Sequence, residues 1–327
     1  MNKPTKKQHY IWRNYLAAWT KDNTSDGQIV CLRGDKIFPV SLRKIAQENC
    51  FYGVKKMTKE ERTLVHALTT KGKTGTHKNL NEKWVDIYCA PFDLKDELIA
   101  CETLPIQDPD HVRTDVDQYF DNWLIEHVEK IHAQIEETGI PYISSLRQDN
   151  LDFWSDTVSR DEFSFFLCHQ YFRTKKIRDA IIAMFEKGKQ ETGYFADIHP
   201  ENMWIPLTMV YASNVGMNIA QTCSAVLLKT RDSNFVVGDQ PVINTYSTFE
   251  MSKEPDDVEF FYPITPKSAL LLTKNPQYTS GEIIFISSAD VKAYNHLEYR
   301  SAREMIFAKE RSHLNGFVHS NDSVDTT

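Results

Sequence analysis

The feature of this chain that most limits its fold is the separation of its helix-forming and strand-forming segments. Helical patterns occupy most of the sequence up to residue 222, and short β-rich runs follow between residues 224 and 287. A last helical pattern begins at Ala289. A regular parallel α/β fold needs a helix between successive strands, so this order predicts an α+β fold instead.

Five runs rich in β-branched and aromatic residues make up the strand-forming part. Their connections are short, which predicts a mainly antiparallel sheet packed against the helical N-terminal portion. We expect one domain over residues 1–314, with a helical part at 1–222, a sheet part at 223–288 and a closing helix at 289–314. The polar residues 315–327 are expected to form a flexible tail. The predicted strands are 224–230, 234–237, 259–264, 269–273 and 282–287.

Local signals set the expected boundaries of the helices. Gly139 and Pro141 predict the end of a long helix, because glycine and proline disfavour its continuation. Ser159 followed by Glu162 has the spacing of a capping box and predicts the start of the strongest helix. The predicted helices before the strands are 8–19, 42–48, 115–138, 159–187 and 205–221.

The N-terminal region also contains a hairpin signal. Two β-rich runs, 28–32 and 36–40, flank Gly34, which suits a tight turn. Ser41 then predicts the cap of the helix at 42–48. The stretch 55–83 is rich in Lys, Thr and Gly, and part of it is expected to form an exposed loop.

Composition excludes several classes of protein. The formal net charge is −7, which disfavours a general polycation for nucleic acid or membranes, although it leaves a local basic groove open. No apolar run approaches the roughly 20 residues of a membrane-spanning helix, and no signal-peptide core follows the basic N-terminus. The six cysteines are scattered without a CxxC pair, so we expect reduced thiols and a cytoplasmic protein.

Two pairs of polar residues stand out in helical patterns. His9 and Arg13 are four residues apart and therefore share one face of the predicted first helix. Gln170 and Arg173 fall on the same stripe as buried aromatic residues of the predicted helix at 159–187. A buried arginine needs a carboxylate, a group of carbonyls or a phosphate-bearing ligand, so an internal ion pair is the alternative to a binding role.

A carboxylate at a strand end adds a third candidate. The run 234–237 leads into Gly238 and Asp239, and Pro241 stops it. Catalytic carboxylates often occupy such positions, but an aspartate that only shapes the corner fits equally well. Because each would be costly to bury alone, we predict that His9, Gln170, Arg173 and Asp239 meet at one polar pocket.

These segments carry a family resemblance. The chain resembles the bacterial family catalogued as domain of unknown function 4238 over about residues 6–311. Trp12 stands where that family often has proline, and Gly238 stands where it often has serine. The resemblance implies candidate residues but no reaction, and it makes a defence or toxin role plausible. The matching motifs are Gln8-His9-Tyr10 through Leu16, Gln170 with Arg173-Thr174, Gly238-Asp239-Gln240-Pro241-Val242, Pro263-Ile264-Thr265-Pro266, and Asn295.

Two functional readings remain open on the sequence alone. One is a hydrolase that acts on phosphodiester or nucleotide substrates, with His9 as general acid or base, Arg173 stabilising phosphate charge, and Asp239 orienting His9 or holding a metal. Gln170 would position the substrate, and the motifs add four candidate substrate-binding residues. The other is a non-catalytic regulatory or interaction module in which the same residues form a structural network. The four candidate substrate-binding residues are Tyr10, Arg13, Gln240 and Asn295.

Cofactors and partners are not fixed by the motifs. The sequence has no P-loop, GxGxxG, HExxH, GxSxG or kinase signature. A divalent metal stays open, although His127 and His132 are five residues apart and suit a helical metal pair poorly. The acidic-to-lysine pairing nearest to Asp239, at 250–254, lacks the spacing of a PD-(D/E)xK nuclease.

The partners considered are nucleic acid or a nucleotide, another protein, or a second copy of the chain. The basic stretch 55–78 is a candidate contact for an acidic partner.

Overall fold

The computed structural model describes residues 7–100, 109–193, 195–247 and 255–318, with only the backbone described at 109–118, 121–122 and 125–126. Within them the chain is an α+β protein in which three groups of hydrogen-bonded strands accompany the helices. The helices are α1 Arg13–Leu16, α2 Lys59–Thr70, α3 Gly75–Ala100, α4 Pro109–Arg147, α5 Thr157–Phe172, α6 Lys175–Thr192, α7 Trp204–Thr222 and α8 Ser288–Ser301. The strands are β1 Lys7–His9, β2 Gln28–Arg33, β3 Lys36–Ser41, β4 Gln47–Asn49, β5 Ser224–Lys229, β6 Val237–Gly238, β7 Ile243–Asn244, β8 Phe260–Thr265, β9 Ser268–Thr273, β10 Ile283–Phe285 and β11 Ile306–Ala308.

The larger sheet has the strand order β10-β5-β9-β8-β7 and is mainly antiparallel, as predicted. Only its edge pair β10–β5 is parallel among these strands. Every residue of β9 is buried, which is the pattern of a strand covered on both faces. The helical part contacts this sheet through Tyr15, whose ring stacks on Tyr262 with centroids 4.7 Å apart and whose hydroxyl donates to the Pro263 carbonyl at 2.7 Å.

A second sheet has the order β3-β2-β11-β6 and was not expected. The hairpin β2–β3 around Gly34 is confirmed, but its neighbour β11 comes from the far end of the chain. The prediction of a closing helix to residue 314 is therefore wrong. Helix α8 ends at Ser301, and the buried run Ile306–Ala308 then forms β11. The predicted strand 234–237 was also placed wrongly. Of its residues only Val237 belongs to a strand, β6, and β6 pairs with β11 of the second sheet instead of joining the larger sheet.

The helices between residues 55 and 147 cover more of the chain than predicted. The exposed loop expected within 55–83 is limited to short connections: Thr58 and Glu61 form a capping box that starts α2, and the exposed residues 71–74 lead to α3. Helix α4 continues through Gly139 and Pro141 to Arg147. Gly139 is there for close packing, because a Cβ atom on it would lie 2.2 Å from the ring of Phe166.

The predicted helix 159–187 is two helices. Arg173 and Thr174 separate α5 from α6, and Thr174 is extended, with a φ of −83° and a ψ of 160°. Asp156 caps α5 by accepting a hydrogen bond from the Ser159 amide, so Ser159 is not the cap. Glu162 accepts a hydrogen bond from the Tyr142 hydroxyl at 2.6 Å instead of completing a capping box. Helix α7 spans the predicted helix at 205–221, with one residue more at each end.

The N-terminal segment is less helical than its spacing predicts. Residues 7–9 and 47–49 pair as β1 and β4, so the predicted helices at 8–19 and 42–48 shrink to short helical turns. Ser41 does cap its turn, accepting a hydrogen bond from the Arg43 amide. Trp12 has a φ of −65°, a value that proline also adopts.

Apolar residues from both halves share one core. The main cluster contains Leu16 and Phe166 from the helical part together with Leu270 from the sheet part. Within the described residues, no helix combines the length and apolarity needed to cross a bilayer. The five described cysteines are free thiols, while Cys101 and residues 319–327 of the predicted tail lie outside the described residues.

Candidate functional site

The structure contains an open cleft of about 770 Å³ between the N-terminal segment and the middle of α4. Strand β1 and the turn into α1 form one wall, and α4 forms the opposite wall. Two of the four predicted catalytic residues, His9 and Arg173, line it, as does the predicted substrate-binding residue Arg13. The lining residues with ionisable side chains are Lys7, His9, Arg13, Asp26, Arg43, Tyr52, Glu129, His132, Glu136 and Arg173.

Arg173 lies at the base of this cleft and is almost fully buried, at 3% exposure. It follows the last residue of α5, and its Nη1 pairs with the carboxylate of Glu136 on α4. Its Nη2 donates to the backbone carbonyl of His9 at 2.8 Å. Its guanidinium also lies over the Tyr52 ring, 5.4 Å from the centroid. Arg173 therefore joins α4, α5 and β1, and its charge is partnered inside the protein.

His9 ends β1, and its imidazole is half-buried at the cleft. Burial lowers the pKa of His9 to about 4, and the nearby charges of Arg13 and Arg173 also lower it, while a backbone hydrogen bond at Ile45 raises it. The imidazole is consequently neutral near pH 7. Its Nδ1 is buried and has no hydrogen-bond partner within the described part of the chain.

Two histidines form a buried network behind the cleft. His132 Nδ1 lies 2.6 Å from His169 Nε2, and Gln170 Nε2 lies 3.3 Å from His169 Nδ1. Burial lowers the pKa of both histidines well below its ordinary value, and Arg173 lowers it further. Tyr52 stacks on His132 with ring centroids 4.0 Å apart. Gln170 thus lies near the cleft but contacts it through the histidines and not directly.

The charged groups of the cleft are largely paired with one another. Burial raises the pKa of Glu136, and Arg173 partly offsets this. At the rim, Arg43 forms a two-pronged ion pair with Asp26, with N–O distances of 2.8 and 2.7 Å. Arg13 reaches the same carboxylate at 3.6 Å and keeps 41% of its side chain exposed. Arg13 is therefore the cation beside His9 that is best placed to meet a ligand.

Asp239 does not join this site. Its two carboxylate oxygens accept hydrogen bonds from the backbone amides of Arg303 and Glu304, at 2.6 and 3.0 Å. Burial raises the pKa of Asp239 to about 6, against the effect of these hydrogen bonds. Asp239 holds the turn between α8 and β11, and the predicted meeting of all four polar residues is not observed. The nearby 250–254 segment, considered for a nuclease motif, lies outside the described residues.

Three predicted substrate-binding residues also lie away from the cleft. Gln240 is buried; its amide nitrogen donates to the carbonyls of Tyr171 and Val242, at 3.0 Å each. Asn295 on α8 bonds twice to the segment before β6, accepting from the Val236 amide and donating to the Asn234 carbonyl. Tyr10 is buried in the core against Phe51. These side chains connect elements of the fold.

Metal binding finds no support in the described residues, where no group of three or more His, Cys, Asp or Glu could hold an ion. His127 stacks on Trp123 with ring centroids 4.8 Å apart, and His132 Nδ1 lies 2.6 Å from His169 Nε2.

The polar face of α4 was not among the predicted site residues. Glu129, His132 and Glu136 recur at spacings of three and four, so they lie on one face of the helix. That pattern was visible beside the apolar stripe of the same segment and would have indicated the second wall of the cleft. Tyr52 offered no comparable signal, because it lies in a connection after β4 and reaches the cleft only through tertiary packing.

Comparison with known proteins gives one match. A family described as "Protein of unknown function (DUF4238)" matches residues 7–312. No curated protein and no solved structure matches the chain.

Proposed function

We propose, for a chain that belongs to the DUF4238 family, that the His9 cleft is the active site of a hydrolase acting on phosphodiester or nucleotide substrates. One observation carries the proposal: a neutral imidazole, whose buried Nδ1 has no partner among the described residues, lies beside the partly exposed Arg13 in an open cleft. Phosphoryl transfer needs a proton carrier and positive charge together, and His9 and Arg13 supply them.

The charges around His9 favour an anionic substrate. Arg13 and Arg173 both lower the pKa of His9. A phosphate bound beside Arg13 would offset these cations and raise the pKa of His9 toward neutrality, where proton transfer is most efficient. Binding of the correct substrate would thus convert a weak base into an effective one.

In this proposal Arg173 is a positioning residue. Its charge is paired with Glu136, and its Nη2 fixes the backbone carbonyl of His9. Asp239 and Gln240 act at a distance by holding the chain segments around β6 and α5, and we assign them no contact with substrate. We place the activity in the bacterial cytosol and in a defence or toxin role, as the family resemblance suggests.

A non-catalytic interaction module is the second candidate. The observation in its favour is that Asp239, Gln240 and Asn295, all within the family motifs, bond mainly to backbone atoms. In that case the motifs preserve a scaffold whose partner is another protein or a second copy of the chain.

The test compares the wild type with His9→Gln and with His127→Gln, a control histidine on α4 outside the cleft. Hydrolysis of bis(p-nitrophenyl) phosphate, nucleotides, RNA and DNA would be measured with Mg²⁺ and with a chelator. Loss of a proton carrier should lower kcat by about 10²–10⁴-fold in His9→Gln, with little change in melting temperature. The control should keep wild-type rates. Equal rates in wild type and His9→Gln, or no turnover of any substrate, would favour the interaction module.

A further inference from the structure

Among the residues that the structure describes, one side chain on each wall of the cleft has a buried nitrogen without a hydrogen-bond partner. These atoms are Gln8 Nε2 and His132 Nε2, and two further buried atoms at the cleft, His9 Nδ1 and Arg173 Nε, also have no partner there. Gln8 is 1% exposed and His132 is 4% exposed. Buried polar groups are nearly always hydrogen-bonded, and an unmet one costs about 1–3 kcal/mol. Two such atoms at one cleft suggest that a ligand completes them.

The hydrogen-bond chain behind His132 determines what this residue presents to the cleft. Gln170 Nε2 is a donor, so the His169 Nδ1 that it faces at 3.3 Å is the unprotonated nitrogen. A neutral His169 then carries its proton on Nε2 and donates it to His132 Nδ1 at 2.6 Å. His132, also neutral, must carry its own proton on Nε2. His132 therefore offers an N–H group at the ring nitrogen that has no partner.

The orientation of the Gln8 side-chain amide is also fixed by a hydrogen bond, in this case to its oxygen. Its Oε1 accepts a hydrogen bond from the Tyr52 amide at 2.8 Å, which fixes which side of the amide is the oxygen. The NH₂ group is thereby left as the donor without a partner. Gln8 and His132 come from opposite walls of the cleft, β1 and α4.

The charge of the cleft suits an anion. Its lining contains four cationic side chains, Lys7, Arg13, Arg43 and Arg173, against three carboxylates, Asp26, Glu129 and Glu136. Gln8 Nε2, His132 Nε2 and Arg173 Nε are all donors, so the group that would satisfy them is an acceptor. Anionic oxygens are the strongest acceptors for such donors.

We propose that Gln8 and His132 form an oxyanion subsite that binds a phosphoryl or carboxylate oxygen through two N–H groups, with His169 and Gln170 holding His132 in the required tautomer. This inference rests on the proposed function, because it identifies the anionic group of the substrate that the cleft takes. Within that function, the subsite would hold the phosphoryl oxygens while His9 carries the proton.

The first measurement determines the tautomers. In protein labelled with ¹⁵N-histidine, the ring nitrogen shifts at about pH 7 should show His132 and His169 neutral and protonated at Nε2. Protonation of either ring at Nδ1 instead would overturn the proposal, because His132 would then present a lone pair and repel an anion.

The second measurement is binding, followed by the shift of His132 Nε2 and by calorimetry, with inorganic phosphate in one arm and acetate in the other. His132→Gln keeps an N–H group and should retain phosphate affinity within about threefold, whereas His132→Leu should lose about tenfold or more. Gln8→Glu keeps the acceptor for Tyr52 but replaces the donor with a charged oxygen, and it should also weaken phosphate binding by about tenfold or more.

The comparison of phosphate with acetate distinguishes the possible kinds of site. Binding of phosphate alone identifies a phosphoryl site, and binding of acetate as well identifies a general oxyanion site. Wild-type phosphate affinity in both His132→Leu and Gln8→Glu, or no binding to the wild type, would overturn the subsite. Turnover is measured separately, so a protein that binds phosphate at these residues but hydrolyses nothing would refute the hydrolase and keep the subsite.

Discussion

Replacing Arg173 with methionine is the perturbation that most directly tests how the cleft is built. Methionine keeps most of the apolar stem and removes the guanidinium. The change leaves the Glu136 carboxylate without its partner in a place where only 18% of that side chain is exposed. Breaking a buried ion pair by removing one member costs about 3–5 kcal/mol.

Two features of the site adjust that cost. The His9 carbonyl keeps its second donor, the Tyr52 hydroxyl at 3.1 Å, so it is not left unsatisfied. Burial already raises the pKa of Glu136, and loss of Arg173 removes the charge that opposes this rise. Glu136 should then bind a proton more readily, so the loss of stability should be smaller at about pH 5 than at about pH 7.

The double variant Arg173→Met with Glu136→Leu provides the internal control. Removing both charges eliminates the uncompensated carboxylate, so the double variant should regain most of the stability lost by Arg173→Met. We expect a coupling free energy of at least about 1.5 kcal/mol from urea unfolding of the four proteins of the cycle. If Arg173→Met instead costs less than about 1 kcal/mol and abolishes phosphate binding, the guanidinium is directed at the ligand and our assignment of Arg173 as a positioning residue is wrong.

Three further predictions concern packing, the Asp239 turn and pH. Gly139→Ala should destabilise the protein by about 1–3 kcal/mol in urea unfolding, because its Cβ would lie 2.2 Å from the ring of Phe166; Gly188→Ala, whose Cβ would lie 3.2 Å from its nearest neighbour, should cost less. Asp239→Asn should cost about 1.5–3 kcal/mol, since an amide NH₂ cannot accept one of the two backbone hydrogen bonds, and an unchanged melting temperature would contradict this. Burial lowers the pKa of His169, so below about pH 6.5 the unfolded chain takes up a proton at this residue that the folded chain does not. The free energy of unfolding should therefore fall as the pH decreases. His169→Gln should reduce the slope of that free energy against pH by up to about 1.4 kcal/mol per pH unit.

The candidate site was only partly accessible to sequence reasoning. A buried arginine on the α5 pattern correctly indicated a need for a partner, and an internal ion pair was one of the alternatives considered. Its actual partner, Glu136, is 37 residues away on another helix. Asp239, like His9, is a polar residue in an apolar pattern. Its carboxylate nevertheless accepts hydrogen bonds from backbone amides at a turn and does not reach the cleft.

The α+β class, the hairpin around Gly34 and a strand at the position of β9 could be predicted, because they depend on the order of residues along one segment. The insertion of β11 between β2 and β6, and the placement of the polar face of α4 at the cleft with His9, depend instead on contacts between distant segments. A local pattern shows which face of an element must be buried, but it does not specify the distant element that covers that face. The cleft is a product of those distant pairings, since its walls come from segments more than one hundred residues apart in the chain.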